Sequence, residues 1–203
     1  KQPLSPNAAM ALFRPILVLC AELHETHALV HRDIKPENLM VTGQAEEAHL
    51  VLIDFGLARA TKNLPTATQH HSPHYSPLEQ RATAFKHLQS AATDIYALAG
   101  VLYFLLMKKT IADAETLVMA HILIECQQRG FSEALTRALT KALNPHPADR
   151  PQRVRDWLTE LDSALGVASP TRPTSPPVPE PDPGLNPELD PEDEQLSILS
   201  REA

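Results

Sequence analysis

The spacing of apolar residues along the chain predicts a protein built mainly from helices. From a cap at Ser5 to about Thr26, apolar residues recur every three or four positions, although Pro15 predicts a kink there. The 13-residue apolar run at 95–107 predicts a helix that is buried on all sides. Three further helices are predicted in the second half of the chain, at 113–128, 131–143 and 152–165.

Short apolar runs, too brief for helices, predict strands at 28–30, 39–41 and 50–53. The last two are separated by a polar turn that starts with Thr42, Gly43 and Gln44, so they predict a hairpin. Because a hairpin folds back on itself, the residue that follows it, Asp54, is expected close to the residue that precedes it, Asn38.

Acidic charge is concentrated at the C-terminal end of the chain, whereas the rest is nearly neutral. The 203 residues carry a formal net charge of −7, of which −6 falls on residues 168–203 and −1 on residues 1–167. Nucleic-acid binding requires a basic face, so we expect no nucleic-acid partner. The chain is 43% apolar, which is enough for one domain with a proper core.

The composition changes at Ala168, after which Pro, Ser, Thr and acidic residues dominate. Such a segment cannot bury enough apolar surface to offset the entropy of ordering it, so we expect a disordered tail at 168–203 after one folded domain at 1–167. The tail is either a plain linker or a polyproline ligand for an SH3- or WW-like partner. The polyproline ligand would be formed by four prolines: Pro173, Pro176, Pro177 and Pro179.

The two cysteines, Cys20 and Cys126, lie in no pairing or metal-binding motif, which favours a reducing, cytoplasmic setting. The apolar run at 95–107 is shorter than the roughly 20 residues that cross a bilayer, so it predicts a buried helix and not a membrane span. A membrane anchor beyond the tail of a longer parent protein is compatible with this interpretation.

The residues with the clearest chemistry fall in two segments, HRDIKPEN at 31–38 and DFG at 54–56. The predicted hairpin brings Asp33, Asn38 and Asp54 around one small volume. Mg²⁺ prefers hard oxygen ligands and shares its coordination sphere with phosphate and water, so Asn38 and Asp54 are candidate metal ligands. Asp33 is the candidate base for an attacking hydroxyl. This grouping suits phosphoryl transfer from a metal nucleotide, and polar residues that only cap the loops are the structural alternative.

Segment 31–38 resembles the catalytic loop of protein kinases, and segment 54–56 resembles their metal-binding Asp-Phe-Gly motif. Lys35 resembles the Lys of the serine/threonine-kinase loop, which contacts the transferring phosphate. The resemblance implies a serine/threonine protein kinase that uses ATP with Mg²⁺ or Mn²⁺ on protein substrates. The implied roles are catalysis for Asp33 and Lys35, and binding of the metal and its nucleotide for Asn38 and Asp54.

The resemblance also implies supporting roles around this loop. The ring of His31 is expected to pack against Phe55, which precedes Gly56 of the metal-binding motif. The carboxylate of Asp94 is expected to accept hydrogen bonds from the backbone of the catalytic loop.

Segment 72–80 resembles the end of the activation segment in bacterial-type serine/threonine kinases. Ser72 stands where the family has a Thr that hydrogen-bonds the catalytic Asp and Lys. Glu79 and Arg150 are expected to form a buried ion pair, of the kind that is costly to break.

Arg32 lies next to the candidate base, where the resemblance implies that it pairs with a phosphate added to the activation segment at 57–76. Charge-assisted bonds of that kind order a loop. The predicted phosphate acceptor is Thr66 or Thr68, and an ordinary exposed threonine is the alternative for each.

Two histidines depart from the family pattern, because His71 and His74 occupy positions where the family usually has Gly. Gly permits a positive φ that His adopts only at a cost, so the geometry of the substrate-binding loop is expected to differ here. A metal cluster of His70, His71 and His74 is a weaker alternative interpretation of the same residues.

The resemblance covers residues 5–165 and implies a mainly α fold, the C-terminal lobe of a protein kinase with a small β-hairpin at the catalytic loop. The sequence contains no G-x-G-x-x-G and no strand Lys with a helical Glu partner before His31. Because the first residue is Lys and not Met, we expect a fragment whose N-terminal lobe lies upstream in a longer parent, and which is weakly active or inactive alone. The alternatives are a non-catalytic, kinase-like module that binds a partner, and a small-molecule kinase of related fold.

Overall fold

The computed structural model describes residues 2–44, 47–61, 72, 74–111 and 115–167. The predicted tail lies outside these described residues. So do four candidate site positions of the activation segment: Thr66, Thr68, His70 and His71.

The first helix, α1, spans Pro6–Glu25 and begins where the Ser5 side chain accepts a hydrogen bond from the Ala8 N–H at 3.3 Å. Pro15 lies on the exposed side, so the helix continues through it without burying an unpaired carbonyl. By length and composition α1 is the one described helix that could cross a membrane. Its apolar face is nevertheless occupied by the core, where seven residues are buried: Ala9, Met10, Phe13, Ile16, Leu17, Cys20 and Ala21.

A short strand, β1 (Leu29–Val30), follows α1, and a hairpin of β2 (Leu39–Thr42) and β3 (His49–Leu52) follows a 3₁₀ turn at Pro36–Asn38. In the hairpin, Leu39 is opposite Leu52. Gly43 has a φ of 80° at the turn, and a Cβ there would lie 2.5 Å from the Glu47 carbonyl oxygen. The predicted hairpin is therefore confirmed, and glycine is required at its turn.

A two-residue strand, β4 (Arg59–Ala60), pairs antiparallel with β1 and was not predicted from the sequence. It follows the Asp-Phe-Gly segment, and its Arg and Ala give no apolar alternation. Pairing with β1 keeps the start of the activation segment beside the catalytic loop.

The second half of the described domain is helical. Its helices are α2 (Leu78–Arg81), α3 (Ala91–Met107), α4 (Glu115–Gln128), α5 (Glu133–Ala142) and α6 (Val154–Leu165), with 3₁₀ turns at Thr83–Leu88 and Pro147–Asp149. Fourteen of the 17 residues of α3 are buried, which confirms the prediction of a helix enclosed on all sides. A capping box of Ser90 and Thr93 starts α3, and Lys108 ends it in a left-handed conformation.

The core joins α1, α3, α5 and α6, and β3 packs against α1. Trp157 of α6 is fully buried and its indole N–H donates to the Ala138 carbonyl at 3.0 Å. Two helices start later than predicted. Because Ser132 is the cap of α5, that helix begins at residue 133 and not at 131, and α6 begins at residue 154 and not at 152.

Candidate active site

The catalytic-loop segment is fixed to the buried helix α3 through one carboxylate. Asp94 is fully buried; its Oδ2 accepts from the His31 backbone N–H at 2.7 Å and its Oδ1 from the Arg32 backbone N–H at 2.8 Å. The expected contact of Asp94 with the loop backbone is therefore present. Hydrogen bonds to a carboxylate are stronger than neutral ones, which suits an anchor between two elements.

Arg32 adopts a positive φ of 69°, which is unusual for a residue with a Cβ. Its carbonyl accepts a hydrogen bond from the Gln80 side chain, and its Nε donates to the Leu57 carbonyl at 3.0 Å. Burial, followed by the nearby charge of Arg59, lowers the pKa of the Arg32 guanidinium. Because the predicted phosphate acceptors lie outside the described residues, pairing of Arg32 with a phosphate stays a prediction.

Asp33 is the centre of a hydrogen-bonded cluster. Its Oδ1 accepts from the Ser72 hydroxyl at 2.7 Å, and its Oδ2 accepts from Lys35 Nζ at 3.0 Å. Lys35 Nζ also donates to Ser72 Oγ at 3.0 Å. Asn38 Nδ2 donates to Asp33 Oδ2 and to the Asp33 carbonyl, both at 2.8 Å. The structure thus brings together the candidate base, the candidate phosphate contact and one candidate metal ligand.

The same cluster sets the charge of Asp33. Partial burial alone would raise the pKa of this carboxyl, but hydrogen bonds from Ser72, Lys35 and Asn38 outweigh burial and lower it. Asp33 is therefore ionised at neutral pH and able to accept a proton.

Asp54 follows the hairpin and makes no hydrogen bond to this cluster among the described residues. The Ile53 N–H donates to the Asn38 carbonyl at 3.0 Å, which extends the hairpin ladder and places the next residue near Asn38. Asp54 itself is exposed, and its Oδ1 accepts from the Gly56 N–H at 2.8 Å. The Phe55 ring packs edge-on against the His31 ring, with 4.8 Å between the ring centroids, as the resemblance implied.

The oxygen atoms at this site fit a divalent cation. Both N–H groups of Asn38 donate to Asp33, so its side-chain oxygen is the atom left to act as a ligand. Asp54 offers a carboxylate oxygen besides the one bonded to Gly56. One amide and one carboxylate oxygen suit Mg²⁺, which takes few ligands from the protein.

Glu79 and Arg150 form the expected buried ion pair, at 2.6 Å between Arg150 Nη1 and Glu79 Oε1 and 3.2 Å between Nη2 and Oε2. Both side chains are at most 1% exposed. The remaining guanidinium N–H groups donate to three backbone carbonyls, those of Ala92, Asn144 and Pro145. Every Arg150 donor is therefore satisfied, which is what a buried charge requires.

His74 has a φ of 70°, so this departure from Gly does place a His in the left-handed region. Its Nδ1 lies 2.8 Å from the Ile111 carbonyl oxygen, to which it must donate a proton. Among the described residues no group of three or more metal-ligating side chains is present. The histidine cluster is not tested by this geometry, because its other two members, His70 and His71, lie outside the described part of the chain.

Replacing His74 by Ala and by Gly should reverse the usual stability order of these two residues. Both variants lose the bond to Ile111, worth about 1 kcal/mol, but only Ala keeps the cost of a left-handed backbone, about 1–2 kcal/mol. The wild-type His already carries that backbone cost, so we expect His74→Ala to lower the free energy of unfolding by about 1 kcal/mol, the lost bond. In His74→Gly the relief of the backbone cost offsets this loss, so the Gly variant should be the more stable of the two. Urea unfolding measures both, and an Ala variant as stable as the Gly variant would contradict the expectation.

Three side chains that hold the loop were missed by sequence reasoning. His24 contacts Asp94, Gln80 binds the Arg32 carbonyl, and Gln89 Oε1 accepts from the Arg32 guanidinium at 3.4 Å. The only sequence signal was that His24 falls on the apolar face of the first helix, where a polar residue is unusual.

Residues 1–174 match the protein kinase domain family, and the chain therefore belongs to that family. It is similar to bacterial serine/threonine-protein kinases. It is 28% identical to pkn3 of Myxococcus xanthus over 79% of the chain and 32% of that relative. It is 31% identical to PkaA of Streptomyces coelicolor over 81% of the chain and 31% of that relative. It is 34% identical to PknD of Mycobacterium tuberculosis over 80% of the chain and 25% of that relative. The chain thus spans about a third or less of the length of these curated relatives.

The solved kinase domain of PknI from Mycobacterium tuberculosis has a similar fold. It aligns with a TM-score of 0.57 and 21% identity, over 81% of this chain and 57% of that domain. The predicted kinase fold is confirmed at this level. Members of the family use ATP with divalent metal ions, and their substrates include proteins.

Proposed function

We propose that the parent of this chain transfers the γ-phosphoryl group of ATP to serine or threonine hydroxyls of protein substrates. The observation that carries the proposal is the cluster in which Asp33, Lys35, Asn38 and Ser72 are joined by hydrogen bonds of 2.7–3.0 Å. A carboxylate, a cation, and an amide whose nitrogen is bonded to that carboxylate while its oxygen remains for a metal ion are groups that phosphoryl transfer uses. The similarity to bacterial serine/threonine-protein kinases supports serine and threonine hydroxyls as the phosphate acceptors.

In this proposal each side chain has one task. Asp33, ionised and held at both oxygens, orients the attacking hydroxyl and accepts its proton. Lys35 brings positive charge to the phosphoryl group, and the oxygens of Asn38 and Asp54 would hold Mg²⁺. Magnesium-bound ATP, when bound, supplies the phosphoryl group and neutralises part of its charge.

We further propose that residues 1–167 form the C-terminal lobe of a kinase domain and that an N-terminal lobe is present in a longer parent. The length of the matched relatives supports this. So does a group of large apolar side chains on and just after the hairpin, each 45–59% exposed: Met40, Val41, Ile53 and Phe55. Exposed apolar side chains next to a candidate nucleotide site suit contact with a covering lobe. The non-catalytic alternative gains no support, because the four proposed catalytic and metal-binding residues are all present.

The test compares this 203-residue chain with the longer product of its gene, using γ-labelled ATP, Mg²⁺ and a mixture of serine- and threonine-containing peptides. We expect the longer protein to transfer label to peptide only with a divalent ion, and this chain alone to show little transfer. Robust transfer by the isolated chain would contradict the need for an N-terminal lobe. A folded longer protein that neither binds ATP nor transfers phosphate would contradict the kinase proposal and favour partner binding.

A further inference from the structure

His74 keeps a backbone conformation that its own side chain disfavours. It belongs to the substrate-binding loop, taken as residues 72–76, of which the structure describes all but residue 73. Its φ of 70° lies in the left-handed region, and such a conformation persists only where the surroundings over-determine it. The imidazole Nδ1 donates to the backbone carbonyl of Ile111 at 2.8 Å. This bond joins the substrate-binding loop to the segment that follows α3.

The substrate-binding loop is a closed turn whose first residue contacts the proposed base. The N–H groups of Tyr75 and Ser76 donate to the Ser72 carbonyl at 3.2 and 3.0 Å, and Ser76 Oγ accepts from the Ser72 N–H at 2.8 Å. The Ser72 hydroxyl donates to Asp33 at 2.7 Å. The bond to Asp33 and the bond to Ile111 therefore set together where the turn lies relative to the base.

The segment that accepts the His74 hydrogen bond is itself held in place. Ile111 is 3% exposed. Two residues earlier, Lys109 forms an ion pair with Glu125 of α4, whose carboxylate also accepts from the Tyr103 hydroxyl of α3. The segment after α3 is thus fixed to two helices, so it offers His74 an acceptor in a defined position.

The side chains beneath this bond are closely packed. A Cβ at Gly100 of α3 would lie 3.1 Å from a ring carbon of Tyr75 and 3.5 Å from the Ile111 side chain. Tyr75 follows His74 in the chain, and Ile111 is the residue to which His74 is bonded. Because both lie against the same glycine, the apolar packing and the hydrogen bond hold the loop in the same place.

We propose that His74 is a positioning residue for the protein substrate, an inference that rests on the proposed kinase function. Its hydrogen bond to Ile111 holds the substrate-binding loop in the conformation that receives the substrate, in a fixed position relative to Asp33. A Gly, as the family usually has here, has no side chain to make this bond. Without the bond the loop opens more often, and each substrate has to order it on binding. His74 therefore acts on the affinity for the substrate and not on the chemical step.

Three variants separate the hydrogen bond from the backbone preference. His74→Ala and His74→Gly both remove the donor, but Ala disfavours a positive φ and Gly accepts it. His74→Asn places an N–H the same number of bonds from the backbone, and Asn tolerates the left-handed region. An effect that Ala and Gly share and that Asn lacks is therefore an effect of the hydrogen bond.

The first test uses this chain and needs no activity. We expect amide hydrogen exchange at Tyr75 and Ser76 to be about fivefold faster in the Ala and Gly variants and near wild-type in the Asn variant. The Trp157 amide, within α6, corrects for any change in global stability. Acceleration in only one of the Ala and Gly variants, or equal exchange rates in all three variants, would overturn the proposal.

The second test uses the longer kinase and the peptide mixture. A positioning role predicts that the KM for peptide rises about fivefold in His74→Ala and His74→Gly, while kcat and the KM for ATP stay within about twofold of wild type. His74→Asn should restore most of the affinity for peptide. A purely structural residue would change stability and leave the KM for peptide unaltered, and that result would overturn the proposal. Absence of transfer in the wild-type parent would instead refute the kinase function, while the exchange experiment still decides whether His74 holds the loop.

Discussion

In the longer kinase, replacing Asp33 by Asn is expected to reduce kcat for peptide phosphorylation by about 10²–10⁴-fold. The amide has nearly the shape of the carboxylate but cannot take up the proton of the attacking hydroxyl. It also puts an NH₂ group where the wild-type side chain accepts from Lys35, Asn38 or Ser72, so one of these bonds is lost. Steady-state kinetics with saturating ATP and magnesium measure the loss. In the isolated chain, which is expected to show little transfer, the same change should alter no measurable phosphoryl transfer.

Ser72→Ala is the matched control, because it removes one donor to Asp33 and leaves the carboxylate in place. We expect a loss of about tenfold, since Lys35 and Asn38 still hold the other oxygen. If Asp33→Asn lowered kcat by only about tenfold, as expected for Ser72→Ala, Asp33 would be a structural member of the cluster and another residue would have to be the base. Circular dichroism of both variants checks that the fold is unchanged.

The parts of the site that the sequence predicted correctly are those fixed by local chain geometry. A short hairpin between Asn38 and Asp54 admits few conformations, so their approach followed from spacing alone, and Gly43 marked the turn. The orientation of the Asp54 carboxylate toward Gly56 did not follow, because side-chain rotamers depend on neighbours that spacing does not specify.

The contacts that were missed join residues distant in sequence or break a local preference. His24 and Asp94 are 70 residues apart, and Gln80 lies 48 residues from the Arg32 carbonyl that it binds. Arg32 itself has no composition cue for a positive φ, since it is neither Gly nor Asn. The tertiary anchor on α3 imposes that conformation, and only the assembled fold displays it.

Arg150→Met is expected to lower the free energy of unfolding of this chain by about 3–5 kcal/mol. The substitution leaves the Glu79 carboxylate buried and without its ion-pair partner. Among the described residues, the side chain that still donates to it is Thr93, whose hydroxyl lies 3.1 Å away. It also removes the donors to the backbone carbonyls of Ala92, Asn144 and Pro145. The free energy of unfolding of such a domain is only about 5–15 kcal/mol in total, so the variant should unfold at a much lower urea concentration.

The double variant Glu79→Met with Arg150→Met separates two causes of the loss, the unpaired Glu79 charge and the backbone carbonyls that lose their Arg150 donors. It removes the charge but still leaves the three carbonyls without Arg150. We expect it to be more stable than the sum of the single losses predicts, by about 1–3 kcal/mol. Lys141→Met, which breaks the exposed pair with Glu160 at 2.7 Å, is the surface control and should cost less than about 1 kcal/mol. An Arg150→Met variant as stable as Lys141→Met would show that this ion pair does not hold the end of the activation segment to the lobe.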